Sequence, residues 1–470
     1  MSSGRKRSYS HYYKFADDQR SPLQNAFKGS VSLDTLISGV TLVTLNEKMD
    51  VLFGAYLGIE DGKIAYIGKT APEGQPQTII DGTGMVAIPG LINCHTHLAT
   101  SVLRNFLDDT GRGEALEQVL ARQDKLDNRA AKAAASLAIA ECLRFGVTSV
   151  SDLYYFPEAT AQAVAESGIK ANLALSAYRY IHPSEEFDFE TDEQCRELVR
   201  LTEKWHNYDN GRIKIDAGIH AEYTSNHPLW EALADFAAEK GLRFQLHLSE
   251  SAEEVEDCQD RTGLTPGELL ACHRVFSVPV TAATCAYLTE QEQKLLGKAK
   301  ASAVATPIAS SKQGLGSTPI TACVKNGMNV ALGTCSALGS GNLDMFEVMR
   351  YAALQMRERQ ASTTALPSPA VLMMATVCGA TAQGRSDCGM LKVGMDADIA
   401  LVDFSAPHLM PCHNVPSGLV FSAKGGDVAM TMVRGKILYQ NGQFPTMDMN
   451  AIVSEIMEYA IPKVLAKEDV

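Results

Sequence analysis

The chain has 470 residues, of which 46% are hydrophobic and 21% charged, and its formal net charge at pH 7 is −13. This composition is typical of a globular protein, and the length allows one large domain and a smaller one. The negative charge argues against nucleic acid and acidic membrane surfaces as partners, because phosphate binding needs a basic face. No apolar run approaches the roughly 20 residues of a membrane span.

Residues 1–31 are polar and aromatic and lack the apolar centre of a secretory signal, so we expect a disordered tail there. Eleven cysteines are scattered along the rest of the chain without a Cys-x-x-Cys pair. An odd number of cysteines in apolar surroundings is typical of free thiols in a reducing compartment. We therefore predict a cytoplasmic protein.

Both ends of the remaining chain carry short strand-like runs separated by tight turns. The first runs lie between Leu33 and about Gly84, and the last between Ala397 and Tyr439. The turn Asp61-Gly62 between two apolar runs is a hairpin signal. We predict one small β-sandwich built from residues 32–85 and 386–445, followed by a C-terminal helix over 446–470.

The middle of the chain, 86–385, alternates between apolar runs and helix-like stretches. Eight runs could be buried strands, at 86–94, 147–152, 169–176, 212–219, 242–248, 280–285, 300–306 and 328–334. Between them we predict helices at Asn128–Phe145, Asp192–Trp205, His227–Lys240, Thr289–Lys298 and Asp344–Arg357. Eight such units favour an α/β fold with a closed (β/α)8 TIM barrel, with a doubly wound sheet as the alternative.

Four histidines fall at the ends of predicted strands. His95 and His97 end the first run, His220 follows the fourth, and His247 lies near the end of the fifth. Residues i and i+2 of an extended segment point to the same side, and the chemistry of such barrels lies at the carboxyl ends of the strands. An isolated His-x-His is more often two surface histidines, but this clustering predicts a site for a divalent metal such as zinc.

These residues resemble the amidohydrolase superfamily, and most closely its branch of adenosine- and S-adenosylhomocysteine-type deaminases, guanine deaminases and triazine chlorohydrolases. The signatures that carry the resemblance are 89–97 (PGLINCHTH), 220–224 (HAEYT), 247–250 (HLSE), 342–346 (NLDMF) and 394–399 (GMDADI). The resemblance extends from about Leu36 to Gly442. It implies a distorted (β/α)8 barrel with a β-sandwich. The implied activity is metal-dependent hydrolysis of a C–N bond in a purine-, pterin- or triazine-like heterocycle.

The resemblance also assigns roles to individual residues. It implies metal ligands at His95, His97 and His247, a proton-shuttling carboxylate at Glu250, and a substrate contact at His220. One divalent metal is expected, zinc in the first place and iron or manganese as alternatives, because Lys214 lies within a strand where a two-metal site would need a lysine at the strand end. Ser249 and Glu250 could instead cap the following helix.

The second half of the barrel rim departs from the family pattern. Thr284 stands where this branch carries a histidine, and Cys335 stands where it carries an aspartate that binds the metal and accepts the proton of the attacking water. Cys335 could bind zinc as a thiolate and complete a four-ligand site, or remain a buried thiol and leave an open three-histidine site. We count Cys335 and Thr284 with Glu250 as candidate catalytic residues.

These departures leave two functional hypotheses. The chain is either a divergent metal-dependent hydrolase or a catalytically inactive relative that serves as a binding or scaffold protein, in which the metal can be absent. The retained set of three histidines and Glu250 favours the enzyme. Arg104 and Tyr154 are further candidates for substrate contact, with Asp108 or Asp109 as the alternative partner of Arg104. The expected partner is a small heterocyclic substrate, and the resemblance allows a homodimer.

Overall fold

The computed structural model describes residues 33–466, apart from 107, 111 and 183 and the side chains of 112–117. The predicted tail, 1–31, lies outside these described residues. Within them, no helix is both long and apolar enough to cross a bilayer.

The chain forms sixteen strands in the described ranges. The first five are β1 (Thr35–Val43), β2 (Val51–Glu60), β3 (Lys63–Gly68), β4 (Thr78–Asp81) and β5 (Met85–Pro89). The next eight are β6 (Leu91–Thr96), β7 (Val147–Tyr154), β8 (Lys170–Leu175), β9 (Ile213–Gly218), β10 (Phe244–Leu248), β11 (Val280–Thr284), β12 (Ser302–Ala305) and β13 (Asn329–Leu332). The last three are β14 (Ile399–Asp403), β15 (Val428–Val433) and β16 (Lys436–Gln440).

Helices lie between most of these strands. The α-helices of eight or more residues are Arg112–Gln123, Asn128–Arg144, Pro157–Ser167, Glu193–Trp205, His227–Lys240, Ala252–Thr262, Glu290–Lys298 and Met345–Arg359. Shorter ones are Pro266–Cys272, Pro307–Lys312, Ile320–Lys325, Ala337–Ser340, Ser368–Met374, Val377–Ala382, Val415–Phe421, Met449–Glu455 and Ile461–Leu465. The last two are joined by a π-helical turn, Ile456–Ala460, within the range predicted as a C-terminal helix.

The predicted helices begin and end where local chemistry favours it. Asp192, Thr289 and Asp344 each precede a helix and accept a backbone N–H of its first turn through the side chain. Such a cap satisfies one of the helix's free N–H groups. Gly168 and Gly241 end their helices with φ of 89° and 68°, a conformation that glycine adopts without strain.

The strands form two sheets, as predicted. In the first sheet the order is β16-β15-β14-β5-β1-β2-β3, with β4 paired to β1, so the two ends of the chain build one β-sandwich domain. In the second sheet β6 to β13 follow one another in chain order, and all neighbouring strands are parallel. The second sheet is a nearly closed (β/α)8 barrel.

The strand expected over 86–94 is in fact two strands. β5 pairs antiparallel with β14 in the sandwich, whereas β6 pairs with β7 in the barrel. Gly90 lies between them, and a Cβ at this position would come within 2.6 Å of the Thr148 side chain, so only glycine fits the change of direction. The sandwich therefore extends to Pro89, and the barrel begins at Leu91.

The barrel closes at its carboxyl end, next to the first histidines. The N–H of Cys335, just after β13, donates to the carbonyl of His95 in β6 at 2.9 Å. This junction between β13 and β6 is called the seam here. Asn93 and Thr334 stabilise it through two side-chain hydrogen bonds of 2.7 and 3.0 Å. Gly333 permits the approach, because a Cβ there would lie 2.9 Å from the backbone nitrogen of His95. The seam thus fixes the position of Cys335 relative to His95.

The opposite end of the barrel is filled by a segment from outside the strands. The carbonyls of Cys378, Ala382 and Gln383 accept hydrogen bonds from polar side chains inside the barrel. The donors are Asn172, Thr281 and Asn329, which come from β8, β11 and β13. These polar side chains inside the amino-terminal end of the barrel are therefore paired with backbone groups. The functional site is expected at the other end, which carries the histidines.

Candidate metal centre and active site

Three histidines from two strands converge at the carboxyl end of the barrel. His95 and His97 come from β6 and its end, and His247 comes from β10. The ring centroids of His95 and His97 are 4.7 Å apart, those of His95 and His247 are 4.8 Å apart, and those of His97 and His247 are 5.3 Å apart. The structure thus brings together the three residues that the sequence predicts as metal ligands.

Backbone carbonyls fix which nitrogen of two rings faces the cluster. The Nδ1 of His97 lies 2.7 Å from the carbonyl oxygen of Leu153, and the Nδ1 of His247 lies 2.8 Å from that of His220. A carbonyl only accepts, so Nδ1 carries the proton in both rings and each Nε2 keeps a lone pair. The two Nε2 atoms are 3.4 Å apart. Two lone pairs at this distance fit a common cation.

His95 provides the third nitrogen. Its side chain is 2% exposed, and its Nε2 is buried without a hydrogen-bond partner among the described residues. A buried polar nitrogen without a partner is costly, and a bound metal ion would satisfy it. The donor set therefore fits a divalent metal such as zinc, which binds neutral imidazole nitrogen.

The electrostatics of the cluster keep these imidazoles neutral. Burial lowers the pKa of His95 well below its usual value, and the neighbouring imidazoles lower it further. Burial and His247 together lower the pKa of His97 to about 3, despite the opposing hydrogen bond to Leu153. The pKa of His220 is also lowered to about 3, first by burial and then by His247 and His97. Neutral rings are the form that binds a metal.

Glu250 lies in the loop after β10, and Tyr223 donates its hydroxyl to Oε1 of Glu250 at 3.1 Å. The helix that follows is capped by Ser251, whose Oγ accepts the N–H of Glu254 at 3.1 Å. Ser249 and Glu250 are therefore not the capping residues, and the alternative role considered for them is excluded. The charge of Glu250 acts on the Cys335 thiol, which lies close to His95 and His97, so this carboxylate lies at the same end of the barrel as the histidines.

His220 and Tyr154 line the surroundings of the three histidines. The ring centroid of His220 is 5.0 Å from that of His247, and its Nδ1 lies 3.3 Å from the hydroxyl oxygen of Thr224. The ring centroid of Tyr154 is 5.9 Å from that of His97, and the Tyr154 side chain is buried. Both rings therefore pack against the histidine cluster.

The two residues that depart from the family pattern lie on the rim next to the strands that carry the histidines: Thr284 ends β11, beside β10, and Cys335 follows β13, beside β6. Thr284 is buried. Cys335 lies close to His95 and His97, and its Sγ and one ligand nitrogen of each histidine are all within 4.8 Å of one another. Burial raises the pKa of the Cys335 thiol to about 11, the backbone at Ser336 opposes this shift, and the negative charge of Glu250 adds to it. Without a cation this group is therefore a protonated thiol.

Arg104 has structural partners instead of the predicted ones. Its guanidinium forms an ion pair with Glu141 and donates to the carbonyl oxygen of Gly341 at 2.6 Å. Asp108 is instead paired with Lys312. Both terminal nitrogens of Arg104 are thus engaged within the protein, so a substrate contact is not favoured. Sequence spacing suggested Asp108 or Asp109 because they are near in the chain, whereas Glu141 is brought close only by packing.

Comparison with known proteins places this geometry in a family. The family model described as "Amidohydrolase family" matches residues 86–438, which is more than half of the chain. The chain belongs to the amidohydrolase family. Curated relatives of the chain include enzymes named deaminases, and such enzymes are hydrolases of carbon–nitrogen bonds other than peptide bonds.

Two of these relatives match this amidohydrolase over nearly their whole length. A 5-methylthioadenosine/S-adenosylhomocysteine deaminase from Thermoanaerobacter pseudethanolicus is 33% identical over 91% of this chain and 99% of its own. A 5'-deoxyadenosine deaminase from Methanosarcina mazei is 35% identical over 91% of this chain and 98% of its own.

Solved structures give the same result. An adenosine deaminase from Xanthomonas campestris with bound zinc superimposes with a TM-score of 0.85 at 27% identity, over 92% of this chain and 98% of its own. An atrazine chlorohydrolase from Arthrobacter aurescens complexed with zinc has a TM-score of 0.84 at 26% identity, over 91% of this chain and 100% of its own. Both neighbours of this amidohydrolase were therefore solved with zinc.

Three further residues of this amidohydrolase hold parts of the site in place, although the sequence predicts none of them as a metal ligand or catalytic residue. Asp152 accepts hydrogen bonds on both sides of His97, Glu254 accepts the N–H groups of Ser249 and Glu250, and Tyr223 contacts Glu250. The pattern Ser251-x-x-Glu254 is a capping-box signal and would have marked Glu254 as a loop-anchoring residue. The signal for Asp152 is its position near the carboxyl end of β7, and the signal for Tyr223 is its place in the segment that follows β9.

Proposed function

We propose that this amidohydrolase is a metal-dependent deaminase that hydrolyses the exocyclic amino group of an adenosine-type nucleoside. The observation that carries the proposal is the convergence of His95, His97 and His247 at the carboxyl end of the barrel, with Glu250 in the loop directly after the strand that carries His247. The relatives named above act, by their names, on 5-methylthioadenosine, S-adenosylhomocysteine and 5'-deoxyadenosine. These compounds share an adenine ring, and the amino group of that ring is the group that the deaminases remove.

The three histidines would hold a single divalent cation, and zinc is the best supported because two structural neighbours contain it. When bound, such a cation lowers the pKa of water at the site to about 7 and offsets negative charge that develops on the substrate. The fixed Nδ1 protons of His97 and His247 keep both rings in the orientation that binding requires.

Glu250 would move the proton. Hydrolysis adds water to the ring carbon that bears the amino group, breaks the C–N bond and releases ammonia. The carboxylate of Glu250 would accept a proton from the attacking water and donate it to the departing amine, so that one group serves as base and then as acid. Tyr223 holds one carboxylate oxygen of Glu250 at 3.1 Å and would keep it in place for both transfers.

A specific observation also favours a second function. The resemblance implies a histidine and an aspartate where this chain has Thr284 and Cys335. Without that imidazole and that carboxylate, Glu250 is the remaining acid–base group. Losing one general base typically lowers a rate by about 10²–10⁴-fold. The alternative proposal is therefore a catalytically inactive relative that binds a nucleoside or another heterocycle.

One experiment separates the two functions. The purified protein, loaded with zinc, is incubated with adenosine, 5'-deoxyadenosine, 5-methylthioadenosine and S-adenosylhomocysteine. Ammonia release and the change in ultraviolet absorbance of the base are followed. We expect turnover of at least one nucleoside and a loss of about 10²–10⁴-fold in kcat for Glu250→Gln. Glu253→Gln is the matched control, because Glu253 is exposed and lies three residues away.

The opposite result identifies the binding protein. Saturable binding of a nucleoside without ammonia release, together with turnover in the double variant Thr284→His/Cys335→Asp, would mean that the pocket has kept its ligand and lost its chemistry. Pterins and triazines belong in the same assay, since the resemblance includes enzymes that act on such rings.

A further inference from the structure

We infer that Cys335 is the fourth protein ligand of the metal, so that the centre is a His3Cys site in which a thiolate takes the place of a carboxylate. The inference rests on the proposed metal centre but not on the identity of the substrate. It assigns to this chain a coordination chemistry that the family pattern does not contain.

The first support is distance. Cys335 Sγ and one ligand nitrogen from each of His95 and His97 lie within 4.8 Å of one another. Zinc–sulfur bonds are about 2.3 Å and zinc–nitrogen bonds about 2.0–2.1 Å. Ligand atoms of one tetrahedral zinc ion are therefore separated by about 3.3–3.8 Å. Small side-chain rotations would bring the three atoms from the observed separation to this range.

The second support is that backbone contacts hold Cys335 in place. The Cys335 N–H donates to the His95 carbonyl at 2.9 Å, and Cys335 forms a parallel bridge with Thr96. Its φ of +62° is uncommon for a residue with a side chain and is maintained by these contacts. The position of the thiol is thus coupled directly to the strand that carries two of the histidines.

The third support comes from His95 and is independent of the cysteine. The Nε2 of this buried side chain has no hydrogen-bond partner in the described part of the chain, and it belongs to the same cluster as Cys335. A cation bound between them would be ligated by the Nε2 of His95 and by the thiolate of Cys335 at the same time. When the metal binds, the Cys335 thiol would release its proton to solvent and its sulfur would donate an electron pair to the cation.

The remaining cysteines provide controls. Cys323 is buried in the short helix Ile320–Lys325, away from the histidines in the chain, and is free. Among the described residues, one group of three or more His, Cys, Asp and Glu side chains has the geometry for a metal, and it consists of His95, His97 and Cys335. His247 adjoins this group through its Nε2, which lies 3.4 Å from that of His97. A spectroscopic band that shows sulfur bound to the metal would therefore come from Cys335.

The test is spectroscopic and does not depend on turnover. The apoprotein is loaded with one equivalent of Co2+, and its absorption spectrum is recorded for the wild type, Cys335→Asp, Cys335→Ser and Cys323→Ala. We expect a sulfur-to-cobalt charge-transfer band in the near ultraviolet for the wild type and Cys323→Ala. The band should be lost in both Cys335 variants, with the metal still bound in Cys335→Asp. X-ray absorption of the zinc protein should show one sulfur at about 2.3 Å.

Each other outcome has a defined meaning. A wild-type protein that binds cobalt without the charge-transfer band, or a band that persists in Cys335→Asp, overturns the inference. Failure to bind any metal also overturns it. Deaminase activity without a sulfur signature supports the proposed function and rejects this ligand. A sulfur signature without turnover on any nucleoside supports the ligand and rejects the proposed function.

Discussion

The buried carboxylate of Glu254 accepts the backbone N–H groups of Ser249 and Glu250 at 2.9 and 2.6 Å. Ser249 adopts a φ of +47°, so these two bonds maintain an uncommon loop conformation directly before Glu250. Burial raises the pKa of Glu254 to about 8, the charge of Glu250 adds to this shift, and the two N–H groups oppose it. Glu254 therefore acts as a positioning residue for the carboxylate to which we assign the proton transfer.

Glu254→Gln should lower kcat by about 10–100-fold with little change in KM, because an amide accepts through one oxygen only and leaves one N–H without a partner. The measurement is steady-state kinetics with zinc content determined on the same samples. Zinc content should stay constant, since His247 lies before the altered loop.

The matched control is Glu253→Gln, an exposed residue on the same first helical turn. We expect kinetics close to those of the wild type. Equal effects of the two substitutions, or loss of zinc with Glu254→Gln, would contradict a positioning role for Glu254.

Asp152 holds the chain on both sides of His97. Its Oδ1 accepts the Thr96 hydroxyl at 3.1 Å and the Leu98 N–H at 2.6 Å. Asp152→Ala should lower zinc affinity by about 10–100-fold, as removal of a group that orients a metal ligand does in other sites. Competition with a chromophoric chelator measures this. Asp152→Asn keeps an acceptor oxygen and should lose much less affinity, and a wild-type affinity for the alanine variant would show that Asp152 does not position His97.

Hydrophobic patterning was sufficient to predict most of the barrel. Each strand of β6 to β13 is buried over nearly all of its residues, and a strand buried on both faces appears in sequence as a short continuous apolar run. The same patterning could not divide the run 86–94, since both halves are apolar and only Gly90 marks the change of sheet. The histidines were found because they stand at strand ends, where a barrel brings distant parts of the chain together.

The features that the sequence did not reveal depend on contacts between distant segments. Segment 378–383 fills the lower end of the barrel, although nothing in its composition links it to Asn172 or Thr281. Arg104 is paired with Glu141 across packed helical segments, at a chain separation of 37 residues. Such pairings require the tertiary fold, because periodicity gives the face of an element and not the partner of a side chain.

A buried lysine connects the barrel to the sandwich. Lys170 in β8 has a fully buried side chain, and its Nζ lies 2.6 Å from Asp398 and 2.8 Å from Asp396. Lys170→Met should lower the free energy of unfolding by about 3–5 kcal/mol, because it leaves the buried carboxylate of Asp398 without its ammonium partner. Asp396, in contrast, keeps Arg434 and Lys63. Urea unfolding at neutral pH is the measurement.

Lys63 provides an internal comparison, because it contacts the same Asp396 at 2.9 Å from a side chain that is 54% exposed. An exposed ion pair contributes about 1 kcal/mol or less, so Lys63→Met should have a small effect. Equal losses for the two lysine variants would show that burial of Lys170 does not determine the strength of the pair.

Asp127 connects the helix Asn128–Arg144 to the C-terminal helical segment. One carboxylate oxygen accepts the Ala130 N–H at 2.9 Å, and the other contacts the Tyr459 hydroxyl at 2.5 Å and the Lys463 ammonium at 3.0 Å. Burial raises the pKa of Asp127, but these partners outweigh it and lower the pKa from 3.8 to about 2. The unfolded chain thus binds this proton more tightly than the folded chain.

The stability that Asp127 contributes should be complete above pH 3.8 and should be lost as the pH falls through about 2. Asp127→Asn keeps a good helix cap and removes the charge. The difference in free energy of unfolding between the wild type and this variant should therefore shrink across that range in urea titrations. Asp124→Asn, at an exposed aspartate three residues earlier, is the control. A difference that stays constant with pH would mean that the cap, and not the charge, accounts for the contribution of Asp127.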